Sequence, residues 1–525
     1  MSKSRPKPVV MTMMLSLVIT NHVCGLVSAK AAATTSPAAS DSTVMNEFLT
    51  VPASEFVGAA RAAVEAMRKA GEALSKFQTK IGDFRTSNAV LDCLDLLDFA
   101  CDDLSWTIDA SNYPNGKDNG TGDIIKDLRI WISAAFSDVD TCLEGFEGTN
   151  GIIKNLITGG LNRIGPIVRN LLTMVHDKPK TGSGHGGFGK FPSWVKPDDR
   201  KLLQSEDIPA ADSVVAADGT GDFTTIMEAV MAAPDKSENR YVIYVKKGIY
   251  SENVEINKKK WNIMMIGDGI DSTVITGDRN FIDGWTTFRS ATFAVSGRGF
   301  IARDITFENT AGPEKHQAVA LRSDSDLSVF FRCAMRGYQD TLYAHTMRQF
   351  FRECIITGTV DFIFGDATSV FQTCQIKARQ GLANQKNIVT AQGRKDPDQP
   401  TGFSVQFCNI TADTDLVPNV NKTVTYLGRP WKLYSRTVFL QNYISEAVRP
   451  EGWLEWDGDF ALDTLFYAEY MNHGPGARLD KRVKWPGYRV LNSSAEAEDF
   501  TVGSFIEGNL WLPATGVRFT AGLSS

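Results

Sequence analysis

The sequence predicts an all-α four-helix-bundle domain followed by a right-handed parallel β-helix. Between about residues 45 and 176, apolar residues recur at steps of three or four, the period of amphipathic helices. After Val214, short β-rich runs replace this pattern. In them the motif Phe-x-x-Cys returns at intervals of 21 and 20 residues, starting at Phe330, Phe351 and Phe371. Such an interval is typical of one coil of a parallel β-helix, in which each coil stacks on the last.

Size and composition indicate a globular protein of more than one domain. The 525 residues exceed one ordinary core, so we expect two or three domains. Hydrophobic residues make up 43% of the chain and charged residues 22%, which excludes a disordered protein. The formal net charge of −6 offers no basic field for phosphates, so no nucleic-acid partner is expected.

Residues 1–29 have the layout of a secretory signal peptide. A basic start precedes the apolar run from Val9 to Ile19, and small residues follow around Ser28 and Ala29. A membrane span needs about 20 apolar residues, and Asn21 and His22 interrupt the run before that length. The chain is therefore predicted to be secreted, with no permanent membrane span.

The predicted bundle occupies residues 45–176, and a linker occupies residues 177–204. The linker is rich in glycine, proline and charge, and it ends in Arg200-Lys201-Leu202-Leu203. That basic pair is a site that a secretory-pathway protease could cut, although from the dipeptide alone ordinary solvated charge is the favoured reading. The bundle prediction rests on apolar positions in four segments, including Phe56, Val64, Met67, Leu74, Val90, Leu94, Leu97, Leu104, Trp131, Ile153, Ile157, Ile164, Val168 and Leu171.

Secretion also makes the cysteines and the asparagine sequons informative. An oxidising compartment favours disulfides, and loss of Cys24 with the signal leaves seven cysteines, so at least one thiol stays free. The chain has no CxxC pair and no HExxH motif, so no metal site is predicted. Four sequons are candidate glycan sites: Asn119, Asn409, Asn421 and Asn492.

Two aspartates of the β-rich part, residues 205–525, occupy equivalent places in neighbouring coils. Asp340 follows Cys333 by seven residues, and Asp361 follows Cys354 by seven. Parallel strands stack about 4.8 Å apart, so the two carboxyl groups are predicted to face each other. Repulsion between two such close charges separates the two pKa values, so one carboxyl group ionises while the other keeps its proton. A pair of this kind suits hydrolysis, in which one group acts as nucleophile or base and the other as acid. The alternative is two solvated turn aspartates, which the shared register disfavours.

The neighbours of this pair favour chemistry on a carbonyl group. Gln339 adjoins Asp340, and Gln317 lies in the segment HQAVALR, and amide donors near a carboxyl pair can stabilise an oxyanion. Arg429 and Trp431 alternate in a strand-like segment, where a guanidinium can bind a carboxylate and an indole can stack on a sugar. The chain has no GxSxG motif, so an ordinary serine esterase is disfavoured.

Six segments of the chain stand out: DGTGDFTTI, GIYSE, QAVALR, GYQDTLY, GTVDFIFG and LGRPWK. Together they resemble the signature segments of plant pectin methylesterases, in order and near the family's spacing over about residues 205–520. The helical part, with AVLDCLDL at 89–96, resembles the pectinesterase-inhibitor-like pro-region that precedes many of these enzymes, but it lacks the pair of cysteines with which that region usually begins.

The resemblance implies an aspartyl esterase that removes the C6 methyl esters of homogalacturonan (pectin) in the cell wall, releasing methanol without a cofactor. It implies that Asp361 is the nucleophile and that Asp340 is the general acid and later the base. Two further groups take implied roles: Gln317 and Gln339 stabilise the oxyanion, while Thr287, Arg429 and Trp431 bind the galacturonan chain. An inhibitor protein and a protease acting at the linker are implied partners.

The resemblance also selects among the disulfides that the spacing allows. Register alone permits Cys333–Cys354 and Cys354–Cys374 equally, and the family favours the bridge between Cys354 and Cys374. In the helical part the family-like bridge is Cys93–Cys142.

Two other functions remain open on the sequence. A polygalacturonan glycoside hydrolase on the same fold also uses two close carboxyl groups, although it needs no oxyanion-binding amides. A non-catalytic wall-binding or inhibitor-like protein is the second alternative, and the presence of Asp340, Asp361 and their polar neighbours disfavours it.

Overall fold

A computed structural model describes residues 44–76, 82–114, 120–149, 151–176 and 210–524. Within these ranges the predicted architecture is confirmed, with helices first and three parallel sheets after them. No helix in these ranges has the length and hydrophobicity needed to cross a membrane. The predicted signal peptide, the linker with Arg200-Lys201-Leu202-Leu203, and the Asn119 sequon lie outside the described residues.

Three long helices and one divided segment form the bundle. Asp83 and Asp123 cap the second and third helices by accepting the backbone N–H groups of Thr86 and Lys126. The fourth predicted helix is divided, because Pro166 has no N–H group with which to continue a preceding turn. The helices are α1 (Ala53–Ser75), α2 (Phe84–Asn112), α3 (Ile124–Glu144), α4 (Gly151–Leu161) and α5 (Ile164–Thr173).

A disulfide between Cys93 and Cys142 joins α2 to α3, as the family resemblance implied. The first helix has no such link and is held by apolar packing. Phe56 and Met67 of α1 are fully buried in the core that α2, α3 and α5 share. The missing first pair of cysteines therefore does not prevent the bundle from forming.

The β-helix consists of three sheets, each built from parallel strands of successive coils. The front sheet contains β4 (Val254–Ile256), β7 (Phe293–Val295), β10 (Leu321–Ser323), β13 (Leu342–Ala344), β16 (Ile363–Gly365), β19 (Asn387–Gln392) and β22 (Thr425–Gly428). The second contains β3 (Gly248–Ser251), β6 (Thr273–Gly277), β9 (Thr306–Asn309), β12 (Ala334–Arg336), β15 (Ile355–Gly358), β18 (Gln375–Ala378), β21 (Asn409–Ala412) and β24 (Tyr443–Ile444).

The third sheet is the largest and carries the repeated phenylalanines. Four short helices accompany it: α6 (Ile226–Ala232), α7 (Ser494–Glu498), α8 (Val502–Phe505) and α9 (Gly508–Thr515). Its strands are β1 (Ser213–Val215), β2 (Tyr241–Val245), β5 (Ile263–Gly267), β8 (Ile301–Arg303), β11 (Ser328–Phe331), β14 (Arg348–Arg352), β17 (Thr368–Gln372), β20 (Gly402–Gln406), β23 (Arg436–Leu440), β25 (Phe466–Tyr470) and β26 (Tyr488–Val490).

Stacked aromatic rings fill the interior where the sequence repeat predicted them. Phe330 pairs with Phe351 and Phe351 with Phe371, and the ring centroids lie 4.9 and 4.7 Å apart. Val405 continues the ladder one coil later. The sequence pattern missed this coil because valine replaces phenylalanine and a longer loop widens the interval.

The expected bridge between Cys354 and Cys374 is absent, and the structure corrects this expectation. Both residues are buried free thiols in a stacked row with Cys333 and Cys408. The two thiol side chains interact with each other without a bond between their sulfur atoms, and each also hydrogen-bonds to backbone. Sγ of Cys354 donates to the Phe330 carbonyl at 3.2 Å, and Sγ of Cys374 hydrogen-bonds to a backbone carbonyl of the preceding coil in the same way. Equal register brings the sulfur atoms near each other, but each is satisfied by backbone.

Candidate active site

Asp340 and Asp361 lie at the corner where each coil enters the front sheet. Both adopt left-handed backbone conformations, with φ of 62° and 50°, which aspartate tolerates better than most residues. The N–H of Asp340 donates to the carbonyl of Val360 at 3.0 Å, so the two aspartates occupy adjacent coils. The structure thus brings together the two carboxyl groups that the register predicted.

The two carboxyl groups have different electrostatic environments. Both oxygens of Asp361 accept hydrogen bonds from Arg429, Nε at 2.8 Å and Nη2 at 2.5 Å. Burial raises the pKa of Asp361, and Arg429 opposes that rise. Burial raises the pKa of Asp340 well above its ordinary range, and the neighbouring Asp361 charge raises it further. Asp361 is therefore the member of the pair that ionises at the lower pH.

The two predicted amide residues flank the aspartates on the adjacent coils. The N–H of Ala318 donates to the carbonyl of Gln339 at 3.2 Å, which places Gln317 one coil before Gln339 and Asp340. Both glutamine side chains are half-buried. Gln317, Gln339 and Asp361 therefore occupy three successive coils along one edge of the front sheet, where amide donors can approach a carbonyl held at the aspartates.

Trp431 forms part of an aromatic surface next to the aspartates. Its ring meets that of Phe364 edge-on at a centroid distance of 6.0 Å, and Phe364 stacks on Tyr343 at 4.2 Å. Gly393 allows this arrangement, because a Cβ there would lie 2.9 Å from a ring carbon of Trp431. We call the surface formed by Tyr343, Phe364 and Trp431 the aromatic floor.

Two aromatic residues near the site were not found from the sequence. The guanidinium of Arg429 lies 4.3 Å from the ring centroid of Trp456. The indole of Trp456 therefore stacks on the same arginine that binds Asp361. Tyr467 is fully buried near the same ion pair and stacks on Trp453. Both lie well beyond the LGRPWK segment, and Trp456 lies in a loop outside the named strands. No periodicity marks either residue.

The helical bundle covers the aromatic floor. Tyr343 and Phe364 belong to the same apolar cluster as the buried residues of α1, α2 and α3, and Trp431 packs against that cluster. Oγ1 of Thr141 on α3 lies 2.8 Å from Nε2 of His345, whose Nδ1 lies 2.5 Å from Asp324. The face beside the candidate catalytic pair is thus closed by the chain's own N-terminal part.

Several ion pairs join the bundle to the β-helix. Arg348 is fully buried and binds Asp326 of its own domain together with Asp127 of α3. Arg289 binds Asp92 and Asp95 of α2. The latter contact adjoins Thr287, the predicted substrate-binding residue, which is half-buried at the edge of the covered face.

A second group of ion pairs lies beside Trp431. Asp140 of α3 lies between Lys395 and Lys432, at 2.7 and 3.2 Å, and Glu144 also binds Lys432. Burial raises the pKa of Glu144 to about 7, with Lys432 opposing and Asp140 adding to the rise. Burial also acts on Asp140, but the two lysines hold the pKa of Asp140 below its ordinary value.

Within the described ranges, no group of three or more histidine, cysteine, aspartate or glutamate side chains has an arrangement that could hold a metal ion.

Comparison with known proteins divides the chain at the same place as its structure. The family model described as Pectinesterase matches residues 212–509, and that described as Plant invertase/pectin methylesterase inhibitor matches residues 30–174. A protein of Arabidopsis thaliana named probable pectinesterase/pectinesterase inhibitor is 71% identical over 493 residues, covering 92% of this chain and 94% of its own. A Prunus persica protein named pectinesterase/pectinesterase inhibitor is 64% identical over 479 residues, covering 91% of each.

Solved structures resemble the β-helix. The structure titled pectin methylesterase from carrot is 57% identical, with a TM-score of 0.60, and it covers 61% of this chain and 100% of that chain. A pectin methylesterase from Aspergillus niger is 28% identical, with a TM-score of 0.51, and covers 58% of this chain.

Proposed function

The chain belongs to the pectinesterase family, and we propose on that premise that it hydrolyses the C6 methyl esters of homogalacturonan, a carboxylic ester hydrolysis that yields methanol and pectate. The observation that carries this proposal is the division of the carboxyl pair: Asp361 is bound by Arg429, whereas Asp340 is buried beside the negative charge. One ionised and one protonated carboxyl group are what a two-step ester hydrolysis requires.

In the first step, the Asp361 carboxylate attacks the ester carbonyl carbon. The amides of Gln317 and Gln339 stabilise the negative charge that develops on the carbonyl oxygen. As the C–O bond to the methoxy group breaks, Asp340 gives its proton to the departing oxygen, and methanol leaves. The product of this step is a mixed anhydride between Asp361 and the galacturonate.

In the second step, water cleaves the anhydride. Asp340, now ionised, accepts a proton from the water as its oxygen attacks the galacturonyl carbon. The bond to Asp361 breaks, the Asp361 carboxylate is released next to Arg429, and Asp340 is again protonated. Arg429 stabilises the Asp361 charge at the start and at the end of the cycle, which accounts for its contact with both carboxylate oxygens.

The direct test compares the products of ester and glycoside hydrolysis. Residues 205–525, incubated with methylated pectin, should release methanol with no new reducing ends, because the scissile bond is the ester. The carrot chain matches this part over its full length, which supports its folding without the bundle. New reducing ends without methanol would instead favour the glycosidase alternative.

Replacement of Arg429 should move the pH profile. In Arg429→Gln, the Asp361 carboxylate loses the cation that opposes the rise of its pKa, so the pKa goes up and the active ionised form is lost at acidic pH. We expect the acidic limb of the kcat profile to move up by about 1–3 pH units. Arg449→Gln is the matched control, since Arg449 is an exposed arginine paired with Glu451. A limb that stays in place would show that Arg429 does not set the ionisation of Asp361.

We further propose that the protein is secreted to the cell wall and that the linker is cleaved at Arg200-Lys201-Leu202-Leu203. The layout of residues 1–29 supports the first statement, and the resemblance of the linker to the family's processing site supports the second. A separate inhibitor protein is a proposed partner, because the bundle matches the inhibitor family model and lies on the aromatic floor.

The position of the bundle also supports a proposal about substrate access. Galacturonan that reaches Asp361 must pass Tyr343, Phe364 and Trp431, and helix α3 packs on that surface. We propose that the intact chain is a covered form of the enzyme and that departure of the bundle opens the groove.

A further inference from the structure

Two lysines next to the aromatic floor have ion pairs only with the bundle among the described residues. Lys395 binds Asp140, and Lys432 binds Asp140 and Glu144. Lys395 also lies 4.0 Å from the ring centroid of Phe136 on α3. Departure of the bundle would therefore leave two ammonium groups without their carboxylate partners.

Asp366, an acidic group of the β-helix that lines the same cavity as the two lysines, does not replace those partners. The carboxylate of Asp366 accepts hydrogen bonds from Thr401 at 2.5 Å, Gln399 at 2.7 Å and Gln392 at 3.1 Å. These three donors come from the β-helix itself and stay in place when the bundle leaves, whereas a fourth donor, Ser137 of α3 at 2.5 Å, leaves with the bundle. Asp366 thus keeps three donors without the bundle, and Lys395 and Lys432 line the same cavity as Trp431.

Arg429 cannot provide the same binding. Its Nε and Nη2 are directed at Asp361, so the guanidinium edge that pairs most strongly with a carboxylate is in use. The chain carries a formal net charge of −6, so no general positive field attracts an acidic polysaccharide. A free galacturonate carboxylate in the groove therefore needs a local cation other than Arg429.

We propose that Lys395 and Lys432 form a subsite for a free galacturonate carboxylate, which Asp140 of the bundle occupies in the intact chain. This inference rests on the proposed function and deepens it. Asp140 shows the geometry of such a ligand, with one oxygen 2.7 Å from Lys395 and the other 3.2 Å from Lys432.

The surroundings of the two lysines fit a sugar acid. Nζ of Lys432 lies 5.1 Å from the ring centroid of Trp431, so a pyranose ring on the indole would carry its carboxylate near the ammonium groups. A methyl ester at that position has no charge and gains little from two cations. The subsite thus selects chains that already contain de-esterified residues.

The test compares substrates on residues 205–525. In the double variant Lys395→Gln with Lys432→Gln, the ratio of kcat/KM for partly de-esterified pectin to kcat/KM for fully methylated pectin should fall by about three- to tenfold, the effect of losing two partly exposed ion pairs. Lys377→Gln is the control, a half-buried lysine on the second sheet. Salt should reduce the wild-type ratio and leave the ratio of the double variant nearly constant.

Trigalacturonate binding, measured by calorimetry, gives a readout that does not depend on turnover. The wild-type protein should bind this fully de-esterified ligand several-fold more tightly than the double variant. Equal affinity together with an unchanged substrate ratio would overturn the subsite. Absence of methanol release by the wild-type protein would instead contradict the proposed function, while the calorimetric comparison would still decide whether the lysines bind a carboxylate.

Discussion

Asp361→Asn is expected to reduce methanol release from methylated pectin by about 10⁴-fold or more while pectin binding remains measurable. An amide is not a nucleophile toward an ester, so the covalent step is lost, and removal of a nucleophile typically costs a factor of this size. The amide has nearly the shape of the carboxylate, and its oxygen can still accept from Arg429. The fold and the aromatic floor should therefore remain, because neither depends on the charge of this residue.

A matched control separates loss of the nucleophile from strain at the corner. Asp304 also adopts a left-handed conformation, with φ of 59°, and it is also paired with an arginine, Arg332. Asp304→Asn therefore makes the same chemical change in the same type of turn, away from the front sheet. It should keep near-normal turnover. Near-normal turnover in Asp361→Asn would show that the nucleophile lies elsewhere.

The aspartate pair could be predicted because a β-helix converts sequence interval into position. Once Phe351 and Cys354 are equated with Phe330 and Cys333, the spacing of Asp340 and Asp361 fixes their coils. The partner of Asp361 could not be predicted in this way. Loops of unequal length lie between Asp361 and Arg429, so the coil that contains Arg429 cannot be deduced from the sequence interval. An arginine at this position suggested only a residue that binds substrate.

The free thiols illustrate a different limit. The spacing of Cys354 and Cys374 correctly placed them on adjacent coils. Register gives the position of a backbone but not the rotation of a side chain, and a sulfur atom that donates to the preceding coil is equally compatible with that register. Proximity was therefore predictable from the sequence, whereas bonding was not.

The bundle contact was also beyond the sequence. Asp92, Asp95 and Asp140 appear in the sequence as charges on the polar faces of amphipathic helices, where solvent exposure is the usual outcome. Their partners, such as Arg289 and Lys432, are separated from them by nearly 200 residues or more. Charge complementarity across two domains becomes visible only when both surfaces are known.

Removal of the bundle is the second change with a large expected effect. We expect methanol release to rise by about 10- to 1000-fold when a chain with a specific protease site in place of residues 200–203 is cut and the bundle is separated from it. The factor corresponds to a covered protein whose open state is populated at about 0.1–10%. Equal activity before and after separation would contradict the covered form.

The cut bundle should dissociate more readily at pH 8 than at pH 5, because the pKa of Glu144 is raised in the docked state. In the docked state burial raises its pKa to about 7, against 4.5 for an unperturbed group. Docking of the bundle therefore takes up a proton at pH values between 4.5 and about 7. The contribution of Glu144 to the free energy of docking is fully present below pH 4.5 and is lost as the pH rises through about 7. Asp140 has a lowered pKa and acts in the opposite sense, but only below its ordinary value of 3.8.

The pH dependence can be measured on the cut protein by gel filtration at the two pH values. Glu144→Gln removes the titrating group, so the difference in retained bundle between pH 5 and pH 8 should become smaller. Glu65→Gln provides the control, since Glu65 is an exposed glutamate of α1 that pairs with Lys69. Lys432, Asp140 and Glu147 are the charged groups that act on Glu144. If both variants keep the same difference in retained bundle between the two pH values, the pH dependence belongs to other carboxyl groups of the contact, such as Asp95 and Asp127, whose pKa values desolvation also raises.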